Sequence, residues 1–315
     1  NYKIDDIKNL SDFVQLHFTK VLYDTTDSWV ILSDIEQSIK SKIEAIGTPL
    51  KKWDIQINYG IKTGYNDAFI ITTEKRNEIL AHCLDDAERE RTAELIRPIL
   101  RGRDIKRYSY DWAELWLIYI PWHFPLHKDP TIQGASKKAE DTFKMQYPAV
   151  YQHLIQYKPQ LSARNKAETG MRYEWYAMQR WGANYSDDFN KPKILWKRVG
   201  SILRFSYDDT RKLGLDSTCF ATGTDIAYIC CVLNSPMGHF LLKDAPKTGT
   251  GDLLISVQAV EPIKIPQLED TTIFTTFLQQ YIEGNTNIEH EINSRIYKLY
   301  QLSEEEIKYI EHGES

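Results

Sequence analysis

Apolar residues recur at helical intervals at Ile35, Ile39, Ile43 and Ile46, directly after Ser33 with Glu36 three positions on. A serine and a glutamate so spaced can each accept from the other's backbone N–H, so the pattern predicts a helix ending at Gly47. The short apolar run Trp29–Leu32 ahead of it reads as a strand. Over 54–72 the pattern changes to β-branched and aromatic runs around Gly60 and Gly64, with Thr63-Gly64 as the turn, which predicts a hairpin. Residues 74–93 read as polar helix, and Trp116–Ile120 as a buried strand stopped by Pro121. A loop with Pro125 and Pro130 follows, then helix over 136–157, started or kinked at Pro148.

Two strands, Lys193–Trp196 and Ser201–Phe205, are predicted across Gly200, and a third over Ser217–Thr222. Apolar positions 226, 229, 230 and 233 predict a helix over 224–233. Lys247–Gly251 is a glycine-rich loop, Glu261–Pro266 a proline-bounded strand edge, and helical spacing resumes from Ile273 to Tyr300. The expected fold is α+β: a mixed-sheet body with peripheral helices over 1–267, then a helical, spacer-like element over 268–315.

Length and charge narrow the possibilities. A chain of 315 residues with 42% hydrophobic content can bury one large core or two modest ones. No run approaches the ~20 apolar residues that cross a bilayer, and no membrane role is expected. The start lacks an apolar signal segment and is not Met, which reads as part of a longer polypeptide. Cys83, Cys219, Cys230 and Cys231 have neither metal-finger spacing nor disulfide-framework density, as suits reduced cytoplasmic thiols. The net charge is −5, yet residues 94–204 hold 19 Lys/Arg against 11 Asp/Glu, while 269–315 hold 3 against 10. A basic middle beside an acidic helical end is a footprint for a polyanion.

Catalytic patterns are absent from the sequence. Adenine-N6 methyl transfer uses an Asn/Asp-Pro-Pro-aromatic tetrapeptide, and the chain has no Pro-Pro. A Pro-Asp…Glu-x-Lys nuclease needs clustered carboxylates for Mg²⁺, and there is no Pro-Asp. Glu306-Ile307-Lys308 falls on an amphipathic helix and is expected on a solvated face. Pro125 separates His123 from His127, which argues against a shared metal, and Asp208-Asp209 reads as turn chemistry. No catalytic or metal-ligating residues are expected in this chain.

Binding patterns are present. Lys62, Thr63 and Asn66 surround the Gly64 turn and can donate to phosphates or base edges. Arg97, Arg101, Arg103 and Arg107 flank Gly102, with Glu94, Asp104 and Asp111 as competing internal partners. Arg164, Arg172, Gln179 and Arg180 interleave with aromatics, of which Trp175 and Trp181 read as core. Lys197 and Arg198 precede the Gly200 turn, and Lys247 stands in the glycine-rich loop. The Lys62–Asn66 turn, the Arg97–Arg107 loop and the Arg172–Arg180 segment are expected to line one cleft.

These stretches carry a resemblance. Gly60-Ile61-Lys62-Thr63-Gly64-Tyr65-Asn66-Asp67-Ala68-Phe69 resembles a G-I-x-T-G-x-N-x-A-F signature, and Leu100-Arg101-Gly102-Arg103-Asp104-Ile105-Lys106-Arg107-Tyr108 resembles the block that follows it. Trp175–Arg180, Lys191–Ile194, Leu233-Asn234-Ser235-Pro236 and Ile296–Ile307 come in the same order. Together they are similar to the C-terminal specificity domain of TaqI-type adenine-N6 DNA methyltransferases and Type IIG restriction–modification enzymes. Lys247–Pro266 also resembles the end of a recognition domain in Type I specificity subunits. The resemblance implies a bacterial, cytoplasmic polypeptide that binds duplex DNA here. It further implies an upstream methyltransferase domain using S-adenosylmethionine, and in some members a Mg²⁺-dependent nuclease; no cofactor is implied for this chain. The competing reading is a protein-interaction module that docks a methyltransferase or second subunit through the same basic residues.

Overall fold

The computed structural model describes residues 32–312; Trp29–Ile31 of the expected first strand lie outside them. Helix α1 (Asp34–Ile46) starts as its residues dictate, with Ser33 Oγ accepting from the Glu36 N–H and Glu36 accepting from the Ser33 N–H. There follow β1 (Gly47–Pro49), β2 (Ile55–Tyr59), α2 (Asn66–Phe69), β3 (Ile70–Thr72), α3 (Thr73–Ala81), α4 (Asp86–Leu95), β4 (Ile96–Leu100) and β5 (Leu115–Ile118). Three helices come next, α5 (Lys137–Gln146), α6 (Pro148–Ile155) and α7 (Lys158–Ala163); Pro148 opens α6, where its missing N–H costs nothing. Then come β6 (Lys193–Lys197), β7 (Val199–Gly200), β8 (Phe205–Asp208), β9 (Leu213–Gly214) and β10 (Thr218–Gly223). The remainder is α8 (Ile226–Asn234), α9 (Pro236–Leu241), β11 (Leu253–Leu254), α10 (Val257–Val260), β12 (Lys264–Pro266), α11 (Thr272–Ile282), α12 (Ile288–Leu299) and α13 (Glu304–His312). This is an α+β fold.

Among the described residues the strands form four sheets, in the orders β2-β10-β6-β8, β3-β5-β4-β9, β1-β12 and β11-β7. Every pairing is antiparallel except β4 with β9. The first sheet is a wall between two apolar clusters. Alternate residues of β6 and β10 serve opposite sides: Ile194, Trp196, Cys219 and Ala221 face one cluster, Leu195 and Phe220 the other. Burial on both faces fits the unbroken apolar centres of these strands, Ile194–Trp196 and Cys219–Ala221. On the first side every residue of α8 is buried, with α11 and α12 packed over it. On the second side Phe69, Ile99, Leu117, Phe143 and Tyr176 fill the space beneath the second sheet.

Three expectations need correction. The strand expected over Ser201–Phe205 lies further on, at Phe205–Asp208, and Gly200 belongs to β7. Residues 54–72 do not form a hairpin: β2 pairs with β10, whereas β3 pairs with β5 in the other sheet. The chain crosses between sheets at Gly60, where a Cβ would lie 2.1 Å from the Leu215 carbonyl oxygen, so only glycine fits. Burial of Ile61 and Thr63 then draws it into the second cluster. Glu306 is not on a solvated face. It is 3% exposed and accepts from Lys42 Nζ at 2.6 Å, Ser38 Oγ at 2.7 Å and the Ser303 N–H at 2.6 Å, tying α13 to α1.

Candidate nucleic-acid interface

The first sheet presents one end where β2 and β6 finish and β10 begins, since Tyr59 pairs with Cys219 and Lys197 with Thr218. Beyond that end the backbone is held from several directions. Ile61 N–H donates to Gly214 O (2.8 Å), Gly60 N–H to Thr218 O (3.0 Å) and Leu215 N–H to Leu100 O (3.0 Å). Gly102 N–H donates to Ser217 Oγ (3.0 Å), which docks the arginine-rich loop on the turn before β10. The side chain of Lys197 lies against both Gly102 and Gly200. A cleft of about 610 Å³ results, lined by Asn66, Asp67, Arg101, Arg103, Lys197 and Asp216, with Ile70 and Leu115 as apolar wall.

The Lys62–Asn66 turn forms one rim. Lys62 and Arg180 exchange two backbone hydrogen bonds of 2.9 Å, and both side chains are exposed. Gly64 takes φ +81°, with the Gln179 and Arg164 side chains packed about 3.1 Å from where a Cβ would stand. Thr63 is 2% exposed; its hydroxyl donates to Asn66 Oδ1 at 2.6 Å, which orients Asn66 and leaves Thr63 itself without access to a ligand. Beneath the turn the Arg164 guanidinium donates to the carbonyls of Thr63, Trp175 and Ala177. Burial pulls this group down to about 10, with Tyr173 opposing. Arg164, expected at the ligand, braces the scaffold instead.

The arginine run divides three ways. Arg97 turns to Asn190 Oδ1 (2.8 Å) and Arg211 O (3.0 Å), and burial lowers its pKa. Arg107 donates to Asn234 O (2.6 Å) and pairs with Glu289, in a separate hollow beside His239 and Lys243. Only Arg101 and Arg103 reach the cleft. Arg101 grips Asp104 with two bonds, Nε to Oδ2 at 3.0 Å and Nη2 to Oδ1 at 2.7 Å, and this pairing raises its pKa. The internal partner therefore fixes its orientation. Arg103 is exposed and has no ion pair among the described residues.

The Arg172–Arg180 segment spans the second cluster and does not line the cleft along its length. Tyr173 to Met178 are all buried, so Arg172 and Arg180 emerge at opposite ends. Arg172 pairs with Glu168 at 2.8 Å near the Trp122 ring, Arg180 lies over Tyr59, and Gln179 sits against the Gly64 turn. Arg198 N–H donates to Ser217 O (3.0 Å) and its carbonyl accepts from Ile255 (2.8 Å). Lys247 is exposed in the turn that leads to β11, which pairs with β7 beside Lys197. Asp67 and Asp216, also in the cleft, were not anticipated, because nothing in their local sequence marks them as neighbours of Arg103. Asp208 is indeed in turn chemistry, accepting from Thr210 and Lys212, but it also forms a fully buried pair with Lys193 at 2.6 Å.

The sequence model of the TaqI-like C-terminal specificity domain matches residues 97–263, from β4 through α10, more than half of the chain. This chain belongs to that family. The chain is also 23% identical over 257 residues to the Type II methyltransferase M.MjaIV of Methanocaldococcus jannaschii, covering 78% of this chain and 77% of the relative. Among solved structures it is similar to the Type IIL restriction-modification enzyme MmeI in complex with DNA, with a TM-score of 0.53 and 11% identity over 84% of this chain. The type IIG restriction endonuclease BpuSI aligns with a TM-score of 0.46 and 12% identity over 85% of the chain. This chain spans about a third of the length of those two enzymes. Arg101, Arg103, Lys197 and Asp216 lie inside the matched residues; the Lys62–Asn66 rim lies before them.

Proposed function

We propose that this chain recognises a short base sequence in duplex DNA as the specificity domain of a restriction–modification polypeptide. It would hold the duplex so that an adenine-N6 methyltransferase domain elsewhere in that polypeptide can extrude and methylate an adenine. The observation that carries this reading is the cleft at the end of the first sheet. It gathers Asn66, Arg101, Arg103 and Lys197 from three separate regions of the chain onto a backbone fixed by hydrogen bonds. Charged groups there would neutralise phosphates, and amides held on rigid elements would read base edges. Methyl transfer with S-adenosylmethionine, and any Mg²⁺-dependent cleavage, are assigned to other domains, because this sequence has no Pro-Pro or Pro-Asp on which such sites are built. A bacterial cytoplasm is the proposed setting; no described helix is long and apolar enough to cross a membrane.

The test is an anisotropy titration of a fluorescent duplex of mixed sequence across a salt series. Counterion release makes log affinity fall linearly with log salt concentration, by ~0.9 per phosphate neutralised. Binding that ignores salt, or no binding at all, would favour a protein-docking role for the same surface. Calorimetry with S-adenosylmethionine should show no saturable heat.

A further inference from the structure

Asp216 stands out in a cleft otherwise suited to a polyanion. It occupies the second position of the turn Leu215–Thr218, closed by Thr218 N–H to Leu215 O at 2.8 Å. That turn is fixed on every side: Thr218 Oγ1 also donates to Leu215 O (2.7 Å), Ser217 Oγ accepts from Gly102, and Ser217 O accepts from Arg198. An aspartate that stabilises a turn does so from the first position, by accepting from the backbone two residues on. Asp216 is in the wrong place for that. Among the described residues it makes no hydrogen bond and no ion pair, although Arg103 and Lys197 line the same cleft. The other cleft carboxylate, Asp67, belongs to the one-turn helix α2.

A carboxylate facing DNA weakens binding by like-charge repulsion unless a base donates to it. Base edges in the major groove offer one donor that carboxylates commonly take, the N4 amino group of cytosine. We infer that Asp216 is a specificity-determining residue that accepts a hydrogen bond from cytosine N4. Arg103, free in the same cleft, has the fork that matches O6 and N7 of the paired guanine. The two side chains together suit one C·G pair, and their not pairing with each other leaves both available. This inference rests on the recognition of duplex DNA proposed above.

The experiment is selection of duplexes with a randomised core by the intact protein, by Asp216→Asn and by Asp216→Ala, with sequencing of the enriched pool. The wild type is expected to enrich a motif with cytosine at one position. Both variants should lose that preference by about tenfold or more, keep the other positions, and bind unselected duplex at least as tightly because a negative charge is gone. The nearly isosteric Asp216→Asn guards against misfolding as the cause. Variants that keep the whole motif overturn the assignment. So do variants that lose every position together with unselected binding, since that pattern marks a structural residue. Should the wild type enrich no motif, recognition itself fails, a result distinct from either.

Discussion

Replacing Arg164 with alanine tests whether the Lys62–Asn66 rim is held from beneath. The guanidinium donates to three carbonyls, those of Thr63, Trp175 and Ala177, and sits over the rings of Phe69 and Tyr173. Hydrogen bonds from a charged group contribute ~1.5–3 kcal/mol each, so three amount to roughly 5–9 kcal/mol. Burial works against them. It lowers the pKa from 12.5 to about 10, and at 1.36 kcal/mol per unit that is about 3 kcal/mol. The difference is roughly 2–6 kcal/mol, and water entering the vacated space would satisfy some carbonyls, which places the expected loss near 3 kcal/mol. Equilibrium urea unfolding followed by tryptophan fluorescence measures it. Duplex affinity should fall as well, because the Thr63 carbonyl would keep only the 3.3 Å bond from the Gln179 N–H, and Asn66, bonded to Thr63, would be held less firmly. Arg164→Lys, with a charge but no fork across three acceptors, should recover less than half of the stability. A loss under about 1 kcal/mol with unchanged duplex affinity would show that the backbone bonds from Lys62, Arg180 and Gln179 hold the rim, and the bracing role assigned to Arg164 would be wrong.

Lys197→Ala, which removes an exposed cation from the cleft, should weaken binding to duplexes of any sequence and flatten the log–log salt slope by about one unit. Arg107→Ala, directed at Glu289 and Asn234, should leave that slope unchanged in the same titration. Lys193→Met breaks a fully buried ion pair and should destabilise by about 3–5 kcal/mol in urea unfolding. Asp208 has other donors, from Tyr110, Thr210 and Lys212, which favour the lower value. Burial alone would raise the Asp208 carboxyl, but Lys193 and Thr210 outweigh it and hold the group below the ordinary carboxylate range. Its contribution is therefore full above about pH 5 and is lost as pH falls through the depressed folded value. Urea midpoints should drop between about pH 5 and pH 2, and the drop should be smaller in Asp208→Asn.

Much of the fold was legible because its signals are local. The Ser33–Glu36 capping box, the spacing of 226, 229, 230 and 233, and the apolar centre Ile194–Trp196 of β6 each declare their element within a few residues. The hairpin over 54–72 was misread for the opposite reason. The partners of β2 and β3 lie elsewhere in the chain, and the steric limit at Gly60 comes from Leu215. The same distinction governs the site. That Arg101 and Arg103 flank Gly102 is visible in the sequence. That Arg97 and Arg107 leave the group is not, because their acceptors are 93, 114 and 127 residues away. Asp216 was invisible altogether, since its significance comes from what it fails to touch.

The cleft is positioned by main-chain atoms. Gly60, Ile61, Leu215 and Arg198 are placed by bonds from their own amides, and Gly102 by a bond to the Ser217 hydroxyl. Asn66, Arg103, Lys197 and Asp216 project from that frame at the margin of both apolar clusters. Their side chains are thus interchangeable parts on a fixed chassis. Replacing one alters which donors and acceptors face the cleft and leaves the packing of either core untouched. On the function proposed above, a lineage carrying this frame could explore new target sequences by single substitutions that are nearly neutral for folding, each step exposed to selection only through the DNA it reads.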